Sequence, residues 1–330
     1  TDRILRLTRR QVLQVGSLSL LGLSLPRLLA ANSTNARRRE KSCIFIFQYG
    51  GLSQLDSWDP KPNGPEPIRG PYRAIPTRVP GYRVGELMPR LAAQADKYAV
   101  IRSMSHSVPV HDIANRMLLA GQSLPALNAP SFGAIVSKLR PAQASLPTQV
   151  WLQKFGGGAM PPEPTYTTGG WLGMAHAPLV IGNTHDDNPA EANFRVRAFD
   201  TSTEISMQRV QARLGLLAQL EAQTSPPPGS ENLGRFRERA HDLLSGSRAR
   251  QAFEIEREPA NVRDRYGRHL YGQSALLARR LVQAGTTCVT INTGYWDHHN
   301  EIEKGLDEHL PPLDRAIAAL IEDLDARGLL

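Results

Sequence analysis

Apolar residues along this chain fall into two kinds of run. The first kind is short and continuous: Cys43-Ile44-Phe45-Ile46-Phe47 and Thr287-Cys288-Val289-Thr290-Ile291-Asn292. Such a run, without polar alternation, predicts a strand covered on both faces, as in a parallel sheet. Gln149 to Leu152 predicts a shorter strand, and Tyr98 to Met104 reads as another. The second kind recurs at helical spacing. Leu87, Leu91 and Ala95 mark one apolar face, and Met207, Val210, Leu214, Leu217 and Leu220 mark a second, with Ser202 and Thr203 as its N-caps. A helix from about Gly272 to Ala284 ends at Gly285. Leu313, Ile317, Leu320 and Leu324 place another over Pro312 to Arg327, with Gly328 as its C′ cap. Two more are expected around 233–245 and 247–256. Strand, connection, helix and strand over residues 43–104 follow the grammar of a βαβ unit. The expected fold class is α/β, a mostly parallel sheet flanked by helices.

Breakers divide these elements. Residues 60–89 contain eight prolines, which predicts an extended loop. Residues 155–190 are rich in Gly, Pro and Thr, and Gly156-Gly157-Gly158 lacks the strand-to-helix context of a phosphate loop. Thr224 to Asn232 is a Pro- and Ser-rich linker or surface loop. No internal repeat interrupts this order.

The N-terminus has a different character. Paired arginines, Arg9-Arg10, precede an apolar stretch from Val12 to Leu25. That stretch falls short of the roughly 20 residues a membrane span needs. Followed by Pro26 and Ala30-Ala31, it reads as an export signal of the twin-arginine (Tat) type. A buried helix is the alternative, but Gly16, Gly22 and the serines weaken it. The expected organisation is a signal at 1–31, a basic linker at 32–41 and an α/β domain at 42–330. Tat export machinery would be a partner, the location the periplasm or cell envelope, and membrane contact only through an uncleaved signal. This segment also explains the charge. The chain carries a net +8, but nine of its 39 basic residues, against Asp2 and Glu40, lie in residues 1–41. The remainder holds 30 basic and 29 acidic groups, so global charge does not argue for nucleic acid. Two cysteines, Cys43 and Cys288, cannot form a Cys-rich zinc site, and their apolar runs favour buried free thiols over a bridge.

Candidate chemistry gathers just after the expected strands, where α/β sheets build their sites. Trp296-Asp297-His298-His299-Asn300 follows the 287–292 strand. In extended geometry Asp297 and His299 project to one side and His298 to the other. A carboxylate and an imidazole converging there suit zinc or a similar divalent ion; a polar turn capping a helix is the alternative. After the first strand, Gly50-Gly51-Leu52-Ser53-Gln54-Leu55-Asp56-Ser57-Trp58-Asp59-Pro60 offers Asp56 as a ligand, while Asp59-Pro60 reads as a turn. Third comes Ser103-Met104-Ser105-His106, with His111 and Asp112 opening a helix to Gly121; His111 there faces the positive helix end, where an anionic substrate could bind. His176, His185, His241, His269 and His309 read as surface or packing residues.

Several of these segments together resemble the domain-of-unknown-function 1501 family over about residues 42–330. They are Gly50 to Pro62, Ile68-Arg69-Gly70-Pro71, Ile101-Arg102-Ser103-Met104, Tyr266-Gly267-Arg268 with Gly272-Gln273-Ser274, Trp296-Asp297 with His299, and Leu310 to Asp314 through Arg327-Gly328-Leu329-Leu330. The resemblance implies an alkaline phosphatase-like, sulfatase-like fold and hydrolysis of a phosphate or sulfate ester at a divalent metal site, zinc or calcium. The substrate would be a small-molecule or polysaccharide ester. It makes Asp297 and His299 metal-ligand candidates, with Asp56 supplying another. The family continues with a further strand and with Gly-Glu-Phe-Gly-Arg-type and Asp-His-Trp-type motifs. With Leu329-Leu330 reading as the start of another apolar element, the chain is expected to be a C-terminally truncated fragment, inactive as it stands. Sulfatases carry Cys or Ser ten residues before the Gly of a Leu-Leu-Thr-Gly segment. Here Leu118-Leu119-Ala120-Gly121 resembles that segment, and His111 holds that position. His111 is then the catalytic candidate, as nucleophile, as a metal ligand, or as the relic of a non-catalytic cell-envelope binding module. Ser105 and Ser107 are nearby substitutes.

Overall fold

The computed structural model describes residues 41–330, except 124, 143–145, 153–167, 183–187, 197–198, 200–206, 224–233, 235, 238–239, 243–245 and 294–295. The strands are β1 (Cys43–Phe47), β2 (Ala74–Pro76), β3 (Arg83–Gly85), β4 (Gln149–Leu152), β5 (Leu179–Ile181) and β6 (Cys288–Asn292). The helices are α1 (Glu66–Arg69), α2 (Pro89–Ala92), α3 (His111–Ala120), α4 (Phe132–Leu139), α5 (Met207–Ala222), α6 (Ser247–Phe253), α7 (Ala260–Tyr266), α8 (Leu270–Ala284) and α9 (Ile302–Ala326).

Four strands form a parallel sheet in the order β1-β6-β4-β5, so among the described residues the first strand pairs with the last. The period of two sorts its side chains. Ile44, Ile46, Val150, Leu152, Leu179, Ile181, Val289 and Ile291 face a core with α8 and with Ala316, Ala319 and Leu320 of α9. Phe45, Phe47, Trp151 and Val180 face the opposite side, against Leu119 of α3 and Phe132 of α4. The protein is thus an α/β fold with helices on both faces of a four-stranded parallel sheet, as the apolar runs predicted. A separate core joins β3, α2 and α9 through Val84, Met88, Leu91, Leu306, Leu310 and Leu313, with Trp296 among them.

The departures from expectation have local causes. β1 is an edge strand and only Phe47 in it is buried, so the continuous apolar run overstated its cover. Cys43 is accordingly exposed while Cys288 is buried, both as free thiols. The proline-rich stretch is not one loop: it holds α1 and the antiparallel hairpin β2–β3, which turns at Gly81 with φ +82°. Tyr98 to Met104 is not a strand. Ile101 and Met104 are exposed, and the place beside β1 belongs to β6 from the far end of the chain. The expected helix at Leu87–Ala95 is reduced to one turn, α2. β5 and α7 had no clear periodic signal. α9 begins ten residues earlier than expected because Pro311 and Pro312 lie inside it. Buried Leu306, Leu310 and Leu313 hold the helix continuous across the two lost backbone donors. The amphipathic helix at 207–222, the cap of α8 at Gly285 (φ +115°) and that of α9 at Gly328 (φ +65°) match expectation. The leader, the 224–232 linker and the Ser202/Thr203 caps lie outside the described residues. No helix among the described residues is long and apolar enough to cross a membrane.

Candidate metal centre

Because β1 and β6 run parallel in register, the segments that leave them emerge side by side, though they are far apart in sequence. Their pairing continues past the strands: Thr293 N–H donates to Phe47 O at 2.9 Å, and Trp296 N–H to Tyr49 O at 2.9 Å. Trp296 is buried and its indole N–H reaches the Thr293 hydroxyl at 3.4 Å, which anchors the residue just before Asp297. Gly50 closes the other side with φ +95°. A Cβ there would stand 2.5 Å from Asp297 N and 2.9 Å from Asp297 Cβ. Only glycine fits this approach, on both conformational and steric grounds.

Onto this frame the chain places His111, Asp297 and His299. His111 Nε2 lies 3.0 Å from Asp297 Oδ2, and His299 Nε2 lies 2.9 Å from Asp297 Oδ1. One carboxylate therefore faces two imidazoles, one through each oxygen. A ligand atom from each of the three residues lies within 4.8 Å of the others. His111 opens α3 and packs its ring 5.8 Å from that of Tyr49, so the β1 loop also sets its position. The cluster faces solvent, with the His299 side chain 77% exposed and Asp297 32%. The donor set fits a cation: ligands of a tetrahedral zinc stand about 3.3 Å apart, and two imidazoles with one carboxylate are a usual protein contribution to such an ion.

The period-of-two reading of 297–299 describes the observed split. His298 turns away onto α9, where a Cβ on Gly305 would meet its ring at 2.3 Å, and stacks on His309 at 6.2 Å. His309 also packs against Tyr271 and Trp296. His269 caps α8 by accepting from Gly272 N–H at 3.2 Å; burial, with the nearby Arg315 charge, lowers its pKa. His106, Ser105 and Ser107 are exposed on the approach to α3 and are not in the cluster. His185 and the Gly156–Gly158 loop lie outside the described residues.

Asp56 does not join the cluster. It is buried, Oδ2 accepts from the Ser53 hydroxyl at 2.6 Å, and Oδ1 lies where a Cβ on Gly70 would be, 2.2 Å away. The motif Ile68-Arg69-Gly70-Pro71 is thus packed against the Gly50–Pro62 motif through a glycine with φ +70°. Asp59 is a structural acid that meets Lys61 at 2.5 Å and Arg102 at 3.3 Å. The sequence shows Gly50 only as the first of two glycines after a strand. Its contact with Asp297 depends on the pairing of β1 with β6, and no local pattern announces that.

A family profile described as "Protein of unknown function (DUF1501)" matches residues 40–330. No curated protein and no solved structure matches the chain. Spanning most of the chain, the profile match shows that this protein belongs to the DUF1501 family.

Proposed function

We propose that this chain is an exported, cation-dependent hydrolase-like protein with an alkaline phosphatase-like core, acting on phosphate or sulfate esters. The observation that carries the reading is the carboxylate of Asp297 set between the Nε2 atoms of His111 and His299 at the C-terminal edge of a parallel sheet. His111 serves as the third ligand in this reading, and Asp56 as a packing residue behind the motif. Two imidazoles favour zinc or a related transition ion over calcium, which takes oxygen ligands. The bound ion would act as a Lewis acid toward an ester oxygen. The chain's own part is positional. Asp297 supplies negative charge and orients both rings, Tyr49 flanks His111, and the exposed side of His299 leaves substrate a way in. Protons compete for the imidazole nitrogens, so acidification weakens the cation's hold.

A second reading is favoured by the residue at the nucleophile-like position. His111 offers neither hydroxyl nor thiol and is engaged with Asp297, as suits a cation-holding cell-envelope module without turnover. One assay separates the two. Zinc-loaded protein is presented with 4-nitrophenyl phosphate and 4-nitrophenyl sulfate, alongside His299→Ala. Zinc-dependent turnover that falls roughly 100-fold or more in the variant supports the hydrolase. Zinc retained without turnover supports the module. Neither zinc nor turnover overturns both.

A further inference from the structure

Cys43 and Cys288 are the first residues of β1 and β6 and stand directly opposite each other in the parallel register. Side chains at paired positions project to the same face of a sheet. Here that face is the one covered by α4, where a Cβ on Gly133 would come within 3.8 Å of Cys288 Sγ. The register therefore sets the two thiols side by side at the start of the paired strands. Neighbouring strands lie about 4.8 Å apart, inside the Cα–Cα range of a disulfide. The pair is asymmetric in access: Cys43 is exposed at the sheet edge and Cys288 is buried behind it.

We infer that Cys43 and Cys288 form a redox-reversible disulfide that staples the edge strand β1 to β6. The oxidant is an external disulfide, of the glutathione or Cys-X-X-Cys protein class. The exposed Cys43 sulfur attacks it as thiolate, forms a mixed disulfide and releases one thiolate. Cys288 then loses its proton, its sulfur attacks Cys43 Sγ, and the second thiolate leaves. Two protein thiols are oxidised and one external disulfide is reduced to two thiols. The order of attack follows from access, and it is helped because the neighbouring Cys288 thiol lowers the Cys43 pKa to about 7, while that of Cys288 is raised. The bridge would close a very long loop and hold an edge strand in which only Phe47 is buried. It lies at the opposite end of both strands from Asp297, about 13 Å along them, so it is independent of the proposed hydrolase.

The test is oxidation of the full chain by glutathione buffers, followed by denaturation and alkylation. Expected are loss of both alkylatable thiols, a mass loss of two hydrogen atoms, a Cys43–Cys288 cross-linked peptide in a non-reducing digest, and a Tm about 5 °C or more above the reduced protein. Cys43→Ser should show no such shift, and Cys288→Ala should stop at a glutathione adduct on Cys43. Two alkylatable thiols under oxidising buffer, a stable adduct on wild-type Cys43, or an intermolecular dimer would each overturn the inference.

Discussion

Two groups of charged residues in this protein are built on opposite plans. Between α7, α8 and α9, the guanidinium of Arg279 is only 2% exposed and lies 2.7 Å from Glu258 Oε2 and 3.0 Å from Asp323 Oδ2. Arg280 donates to the other Glu258 oxygen at 2.6 Å, while Asp323 also accepts from Tyr266 at 2.9 Å and Arg327 at 2.8 Å. Burial alone would raise the pKa of Glu258 and Asp323. The arginines outweigh it and hold both carboxyls below their usual range. Each charge there is answered from within. At the C-terminal edge of the sheet, by contrast, Asp297 faces two imidazoles from distant parts of the chain and stays partly open to water. Closed pairing makes a strut. Open convergence of ligating groups leaves capacity for something from outside.

The comparison breaks most visibly at the strut. Arg279→Ala takes the central cation away from two buried carboxylates and should cost about 3–5 kcal/mol in urea denaturation. Zinc affinity per folded molecule should stay unchanged, because the network touches none of the three residues proposed to hold it. Next, Gly50→Ala forces a side chain into the space of Asp297 and a residue into φ +95°. It should cost about 1–3 kcal/mol of stability and weaken zinc binding about 10-fold or more, as support lost from behind a ligand does. A buried acid of a third kind sharpens the contrast. Burial raises Asp314 to about 6 although it accepts from Leu91 and Arg90 N–H at 2.8 and 3.0 Å. The folded state then binds this proton more tightly than the unfolded state. Its contribution is full below the unfolded carboxylate range near 4, and is lost as pH rises through about 6. Asp314→Asn should flatten that slope, by on the order of 2 kcal/mol across the window, seen as Tm against pH. The smallest effect is expected at the surface. Glu86→Ala breaks the pair with Arg73, which is 88% exposed, and should leave the thermal transition close to that of the wild type.

These two regions were unequally legible in the sequence. β1 and β6 are visible as dense apolar runs and β4 as a shorter strand signal, and Asp297 and His299 stand out because they follow such a run two residues apart. His111 was visible through its place at a helix start. Its meeting with Asp297 is a tertiary fact. Asp56 reads as a ligand because it is a carboxylate in a Gly-rich loop after a strand; in the fold it packs against Gly70 and is not among the three clustered residues. The Tyr98–Met104 expectation misled for a related reason: strand-like composition does not show which strand will take the neighbouring place, and β6 takes it. Nothing local reveals Arg279 as buried, since an arginine in an amphipathic helix reads as surface until α7 and α9 cover it. The prolines at 311 and 312 hid ten residues of α9 that hydrophobic contacts hold in helix.

His111, Asp297 and His299 are proposed to form one cation site. Isothermal titration of the full chain with zinc, beside Asp297→Asn, tests it most directly. Expected are one site in the wild type, zinc protection of the thermal transition, and affinity lower by about 100-fold or more in Asp297→Asn, whose apo stability stays near wild type. Equal zinc binding by the two proteins, or none by either, would contradict it.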